Sequence, residues 1–315
     1  MPPARAAVGV EELRRAWRAV QDGDFQSRTA RPPHARSGRS GTSGGSIGSA
    51  GSSGSAPKAG SAGRAAPAWT SLDWAQGQPA VVVLGCSGSV GATTTALAIA
   101  TAAGAARVVE CCPTACSGLV AAATGELGRH RSGWVQGQRD QVLLERTDGL
   151  VVTVQDVPAP AEPKRRCDLT VVDVGWDVAT VLASRSWVGE LLREGGPVVA
   201  VTGPSVPGVR RLERVLSLLP TTSRVVVAAV DPHRGGRVLR ANGRRACGQW
   251  LAGVEHSIGP VARDLIRRGA LVEVPHDAAL AVHGLTSAPL PDAVLAAGTH
   301  LLRLTQPTDF KGNPP

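Results

Sequence analysis

Residues 85–95 read Gly85-Cys86-Ser87-Gly88-Ser89-Val90-Gly91-Ala92-Thr93-Thr94-Thr95. The apolar run 79–85 (PAVVVLG) precedes them, and 92–103 (ATTTALAIATAA) follows. The first run is short, continuous and β-branched, as a strand buried on both faces requires. The second, rich in Ala and Leu, favours a helix. Glycines at the junction let the backbone curl until several N–H groups converge on one point. The helix N-terminus adds a partial positive charge there. A strand-to-helix turn of this kind suits a phosphate, and a Thr hydroxyl at its end suits magnesium. Ser87, Gly88, Ser89, Val90, Gly91, Ala92, Thr93 and Thr94 are therefore the candidate phosphate cradle. The general pattern places a lysine before the Thr; here that position is Ala92.

Downstream, apolar runs alternate with helical periodicity. Strands are expected over 106–112, 168–174, 197–202, 223–231 and 270–275. Helices are expected over 187–193, 209–219, 258–268 and 292–304. Thr147-Asp148-Gly149 reads as the turn of a hairpin joining 141–146 to 150–155. Alternating strands and helices imply a mostly parallel central sheet with helices on both faces, a three-layer α/β fold. Ligands of such sheets bind beyond the carboxyl ends of the strands.

In this order of elements the chain resembles the MinD/ParA group of P-loop ATPases, whose loop reads K-G-G-V-G-K-T-T. Residues 87–94 align with it. The family's D-x-D-P after the second strand resembles Glu110-Cys111-Cys112-Pro113, followed by Ser117-Gly118-Leu119. Its Walker B strand resembles 168–173, ending in Asp173, and its later strand resembles 199–204, through Thr202 to Pro204. Its V-P-x-D, Gly, L-P tail resembles Val274-Pro275-His276-Asp277, Gly284 and Leu290-Pro291. The resemblance spans about 79–304 and implies ATP with Mg2+, the metal on Thr93 and Asp173, and a homodimer closed over nucleotide. The departures bear on chemistry. The family's signature lysine is Ser87, its phosphate lysine is Ala92, its catalytic Asp is Cys112, and its switch glycine is lost in Asp173-Val174-Gly175-Trp176-Asp177. Phosphoryl transfer depends on positioning and charge neutralisation. Loss of two cations and the water-orienting carboxylate implies weak or no hydrolysis, and no catalytic residue is assigned. Val90-Gly91-Ala92-Thr93-Thr94 is closest to the CpaE-like and septum-site-determining subgroup, thought of as localisation or assembly factors. The implied roles are positioning, partition, or assembly of a secretion, pilus or conjugation apparatus. The alternative is a non-enzymatic scaffold or a DNA-associated accessory protein on the same fold.

Composition narrows the field. Aromatics are 3% with no Tyr, which argues against base stacking as the main activity. The net charge of +9 allows contact with nucleic acid. Arg is grouped at Lys164-Arg165-Arg166, Arg210-Arg211-Arg214, Arg234 to Arg245 and Arg267-Arg268, so non-specific DNA is a candidate partner, against the plainer reading of a solvated Arg-rich surface. Residues 1–20 carry charges and no apolar h-region, and no run suits a bilayer span, so a cytoplasmic protein is expected. The expected organisation is an N-terminal segment, 1–29; a disordered Gly/Ser-rich linker, 30–78; the P-loop domain, 79–306; and a disordered tail, 307–315. Val10, Leu13, Trp17 and Val20 share one helical face, a candidate dock for a protein partner.

Other groups carry less. Cys86, Cys111, Cys112 and Cys116 fall near the expected carboxyl edge, where thiolates could bind a soft metal or sense oxidation, but they lack a paired C-x-x-C arrangement. Cys is also a common small buried hydrophobe. His233, His256, His276 and His283 show no ligand spacing, and Ser87 and Ser89 have no His/Asp context for nucleophilic catalysis.

Overall fold

The computed structural model describes residues 79–160, 163, 165–231 and 253–306. The expected helix within 1–29, the linker 30–78, the tail 307–315, Lys164, Arg234 to Arg245 and Cys247 lie outside the described residues. In chain order the elements are β1 (Ala80–Gly85), α1 (Ala92–Ala103), β2 (Ala106–Cys111), β3 (Gly125–His130), β4 (Trp134–Arg139), β5 (Val142–Thr147), β6 (Leu169–Val174), α2 (Val178–Ala183), α3 (Trp187–Glu194), β7 (Pro197–Thr202), α4 (Val206–Leu218), β8 (Arg224–Asp231), α5 (Pro260–Arg267), β9 (Leu271–Pro275), α6 (Ala278–His283) and α7 (Asp292–Thr305).

The strands form one sheet in the order β3-β4-β5-β2-β6-β1-β7-β8-β9. From β5 to β9 every pairing is parallel. The central strands are apolar throughout because both faces are covered. Val82 and Leu84 join one core while Val81 and Val83 join the other. On the first face lie α2, α3, α4 and α5, through Val181, Leu192, Leu212 and Ala262. On the second lie α1 and α7, through Leu97, Ile99, Val294 and Leu301. This is the expected three-layer α/β architecture. A Cβ on Gly298 would lie 2.5 Å from the carbonyl oxygen of Ala98, so α7 sits directly on the backbone of α1.

The hairpin expected around Thr147-Asp148-Gly149 is not found. β5 turns instead out of β4, through Asp140-Gln141, with Arg139 paired to Val142. Asp140 has φ 50, the left-handed conformation a tight two-residue turn demands and Asp tolerates. Residues 150–155 are no strand. They run into a single turn, Val154–Asp156, closed by Thr153 and the Asp156 carboxylate. The strap beyond it is pinned by indoles: Trp134 Nε1 donates to the Ala159 carbonyl (3.0 Å), and Trp187 Nε1 to that of Pro158 (3.0 Å). β3, β4, α2 and α6 were not expected from the sequence. Among the described residues no helix is long and apolar enough to cross a membrane.

Candidate functional site

The loop leaves β1 at the centre of the sheet. Cys86 N–H donates to the Val201 carbonyl of β7 (2.8 Å), fixing where the loop begins. Ser89 (φ 56) and Gly91 (φ 89) are left-handed, and these two turns curl residues 87–91 back toward α1. Gly is indifferent to this conformation, whereas Ser89 adopts it at a cost. Both the amide and the hydroxyl of Thr95 donate to the Gly91 carbonyl (each 2.9 Å), closing the first turn of α1. Gly91 offers no capping side chain, and no acidic residue lies in that turn. The first N–H groups of a helix have no partner within it, so here they face the curled loop uncapped by the chain.

Thr93, on the first turn of α1, hydrogen-bonds Asp173 near the end of β6. Asp173 is paired in register with Val83 on one side and Glu110 on the other. It is buried, and its carboxyl is pushed up to about 7. Burial is the main cause; the nearby Glu110 charge adds to it, and the Thr93 bond opposes it.

Glu110 is equally buried and closely held. It accepts from Ser117 Oγ (2.5 Å), Gly118 N (2.7 Å) and Leu119 N (3.0 Å). Burial raises its pKa, and these bonds together with Arg146 oppose the rise. Gly118 in turn lies against Thr93, where a Cβ would meet Thr93 Cγ2 at 3.2 Å. On the other side, a Cβ on Gly175 would lie 2.6 Å from Cys112 Cβ, so the exits of β2 and β6 touch only because residue 175 is glycine.

Every cradle residue read from the sequence, 87–94, lies in this loop or the first turn of α1, and the expected metal pair, Thr93 and Asp173, is in contact. Glu110, Gly118 and Gly175 complete the surroundings and were not singled out for these contacts. Cys86, Cys111 and Cys112 are buried, and Cys116 is exposed. Burial pushes Cys86 up to about 12 and raises Cys111 and Cys112, so all three are neutral. Among the described residues no group of three or more His, Cys, Asp or Glu could hold a metal ion.

The residues present fit a divalent cation and a phosphate in part. Thr93 and Asp173 offer hard oxygens, and a metal would favour the ionised form of a buried carboxyl. The curled backbone and uncapped helix start offer N–H groups to an anion. The side chains at 87 and 92 offer no positive charge.

A parallel sheet, a curled loop from its central strand into α1 and an adjoining strand ending in a carboxyl beside the loop's Thr together decide the architecture. The fold is three-layer α/β, a mostly parallel sheet between two layers of helices. Solved structures similar to the chain include a ParA-family ATPase from Chlorobium tepidum TLS, at 15% identity over 72% of this chain and 99% of that one, TM-score 0.40. MinD from Aquifex aeolicus matches at 14% over 73% and 99%, TM-score 0.42. Apo McdA of Cyanthece matches at 13% over 71% and 99%, TM-score 0.43. With scores this low the likeness adds nothing to strand order and loop geometry. No protein-family model and no curated protein matches the chain.

Proposed function

We propose that this chain is a degenerate MinD/ParA-like protein that binds ATP with Mg2+ at residues 87–94 and hydrolyses it weakly or not at all. Its role on this reading is intracellular positioning or partition, or assembly of a secretion, pilus or conjugation apparatus. The observation that carries the proposal is the hydrogen bond of Thr93, on the first turn of the helix that follows the curled loop, to Asp173. Loop amides would hold the phosphates, and Thr93 and Asp173 the metal, which supplies the positive charge that Ser87 and Ala92 do not. Hydrolysis lacks a base, since Cys112 stands where the family has its catalytic Asp and its buried thiol stays protonated. Calorimetric titration with ATP and Mg2+ tests the reading. Expected is binding that Thr93→Ala weakens, with turnover far below that of an intact family member. Absence of binding would leave the non-enzymatic scaffold as the function of the fold.

A second reading rests on a separate observation. Arg210, Arg211 and Arg214 project exposed from α4; beside it, Arg263 is exposed on α5, where Arg267 and the following Arg268 are exposed and pair with Asp264. These could neutralise DNA phosphates, giving an affinity that falls steeply with salt. Replacing Arg210, Arg211 and Arg214 by Glu should abolish such binding, and an affinity indifferent to salt would dismiss it. Capture of a partner by residues 1–29, a homodimer across the nucleotide face and a cytoplasmic location complete the proposal. A pull-down with that segment, sedimentation with and without nucleotide, and imaging of the tagged chain test them.

A further inference from the structure

We infer that Glu110 is a positioning residue for this site: it holds Gly118 against Thr93 and thereby keeps the Thr93 hydroxyl on Asp173. The inference rests on the proposed reading of Thr93 and Asp173 as the metal side of the cradle. Its basis is a continuous chain of contacts. Glu110 Oε1 accepts both Gly118 N (2.7 Å) and Leu119 N (3.0 Å), while Oε2 accepts Ser117 Oγ (2.5 Å). These bonds draw the segment after Pro113 back over the end of β2. Leu119 anchors its far side in the core shared with α1. Between these anchors, Gly118 is placed so that even one added carbon would stand 3.2 Å from Thr93 Cγ2 and 3.5 Å from its Oγ1. The Thr93 side chain is thus walled on one side by Gly118 and bonded on the other to Asp173.

A positioning role differs from a charge role in what the amide analogue does. In Glu110→Gln, the retained oxygen can accept both backbone N–H groups and the new NH2 can donate to Ser117 Oγ, so all three contacts survive without the charge. Glu110→Ala removes all three. Gly118→Ala leaves Glu110 intact but crowds Thr93 directly.

The test is NMR amide exchange and methyl spectra of the full chain without nucleotide, alongside titration with ATP in Mg2+ and in chelator. Glu110→Ala should expose the Gly118 and Leu119 amides to exchange, shift the Thr93 γ-methyl resonance and weaken binding in Mg2+ about tenfold, while the affinity in chelator stays unchanged. Glu110→Gln should keep the protection, the methyl shift and the metal-dependent affinity. Gly118→Ala should shift the Thr93 methyl and lose metal-dependent affinity with the fold intact. Unchanged exchange and methyl position in Glu110→Ala would overturn the inference. So would a Glu110→Gln protein as impaired as Glu110→Ala, because charge would then be the active property. If the unaltered protein binds no ATP, the proposed function falls, and the exchange and methyl spectra still decide the role of Glu110.

Discussion

Asp173→Asn should stabilise the protein above neutral pH and do little in acid. The Asp173 carboxyl is displaced from 3.8 to about 7, chiefly by burial. Below the unfolded value the group is protonated in both states and contributes nothing. Between the two values the unfolded chain ionises while the folded one keeps its proton, so stability falls as pH rises, by about 1.4 kcal/mol per pH unit. The loss is complete above the folded value and amounts to about 4 kcal/mol, a large part of a domain's stability. Asn cannot ionise, and its amide oxygen can still accept the Thr93 hydroxyl. The Glu110 carboxyl titrates in both proteins, so its own contribution largely cancels in the difference. Urea unfolding with chelator present, at about pH 5 and about pH 8, measures it. The gain from Asp173→Asn should grow by about 2 to 3 kcal/mol between the two pH values, following the ionisation interval. A gain that is equal at both, or an Asn variant less stable at the higher pH, would show that the carboxyl is better solvated than its burial implies. Adding Mg2+ together with ATP should narrow the difference at the higher pH, because only the unaltered protein can offer the ion a carboxylate.

Ala92→Lys should restore a cation beside the loop and tighten ATP binding about tenfold or more, a single charge-assisted contact being worth about 1.5–3 kcal/mol; calorimetry reads it, and phosphate release should stay at background because Cys112 remains. Gly298→Val should lower stability in urea by about 1–3 kcal/mol, since its side chain would strike the Ala98 carbonyl. Arg107 and Glu145 form an ion pair (3.5 Å) with both side chains fully buried. Arg107→Leu should therefore cost about 3–5 kcal/mol by stranding a buried carboxylate, and adding Glu145→Leu should recover most of it; chemical denaturation of the single and double variants checks both.

The strands that carry the site were legible because they are buried on both faces. PAVVVLG and PVVAVT are too continuous and too β-branched to be much else, and 92–103 and 197–202 came out with the observed bounds. β3 and β4 were not legible. GELGRH is almost wholly exposed, and WVQGQR sets only Trp134 and Val135 among Gln, Gly and Arg, so neither shows an apolar run. Asp148-Gly149 carries a stronger turn signal than Asp140-Gln141, which is why the hairpin was expected one strand too late. The loop between β1 and α1 was legible as a spacing of glycines; its surroundings were not. Glu110 reaches Ser117, Gly118 and Leu119 because the chain folds back after Pro113, and no residue pattern encodes which amides a carboxylate will meet. Gly175 matters through its contact with Cys112, a relation between two strands that a single stretch of sequence does not contain.

Set beside the family it resembles, the loop's oxygens and its missing lysines would have different physical weights. A lysine acts on a phosphate at any pH near neutrality, whereas an aspartate with its pKa near 7 holds a cation only after giving up its proton. Here both lysine positions are filled by Ser87 and Ala92, and the oxygens of Thr93 and Asp173 remain. On the proposed reading, the helix start offers the anion the equivalent of about half an elementary charge, and a metal would add the rest. Metal binding in turn must displace a proton from Asp173, so affinity for a phosphate tail becomes tied to metal and pH together. A loop with its lysines would hold nucleotide with or without metal. On the proposed reading the anion and the metal depend on each other, and Glu110, by keeping Thr93 on Asp173, would set how well the pair is prepared to meet them.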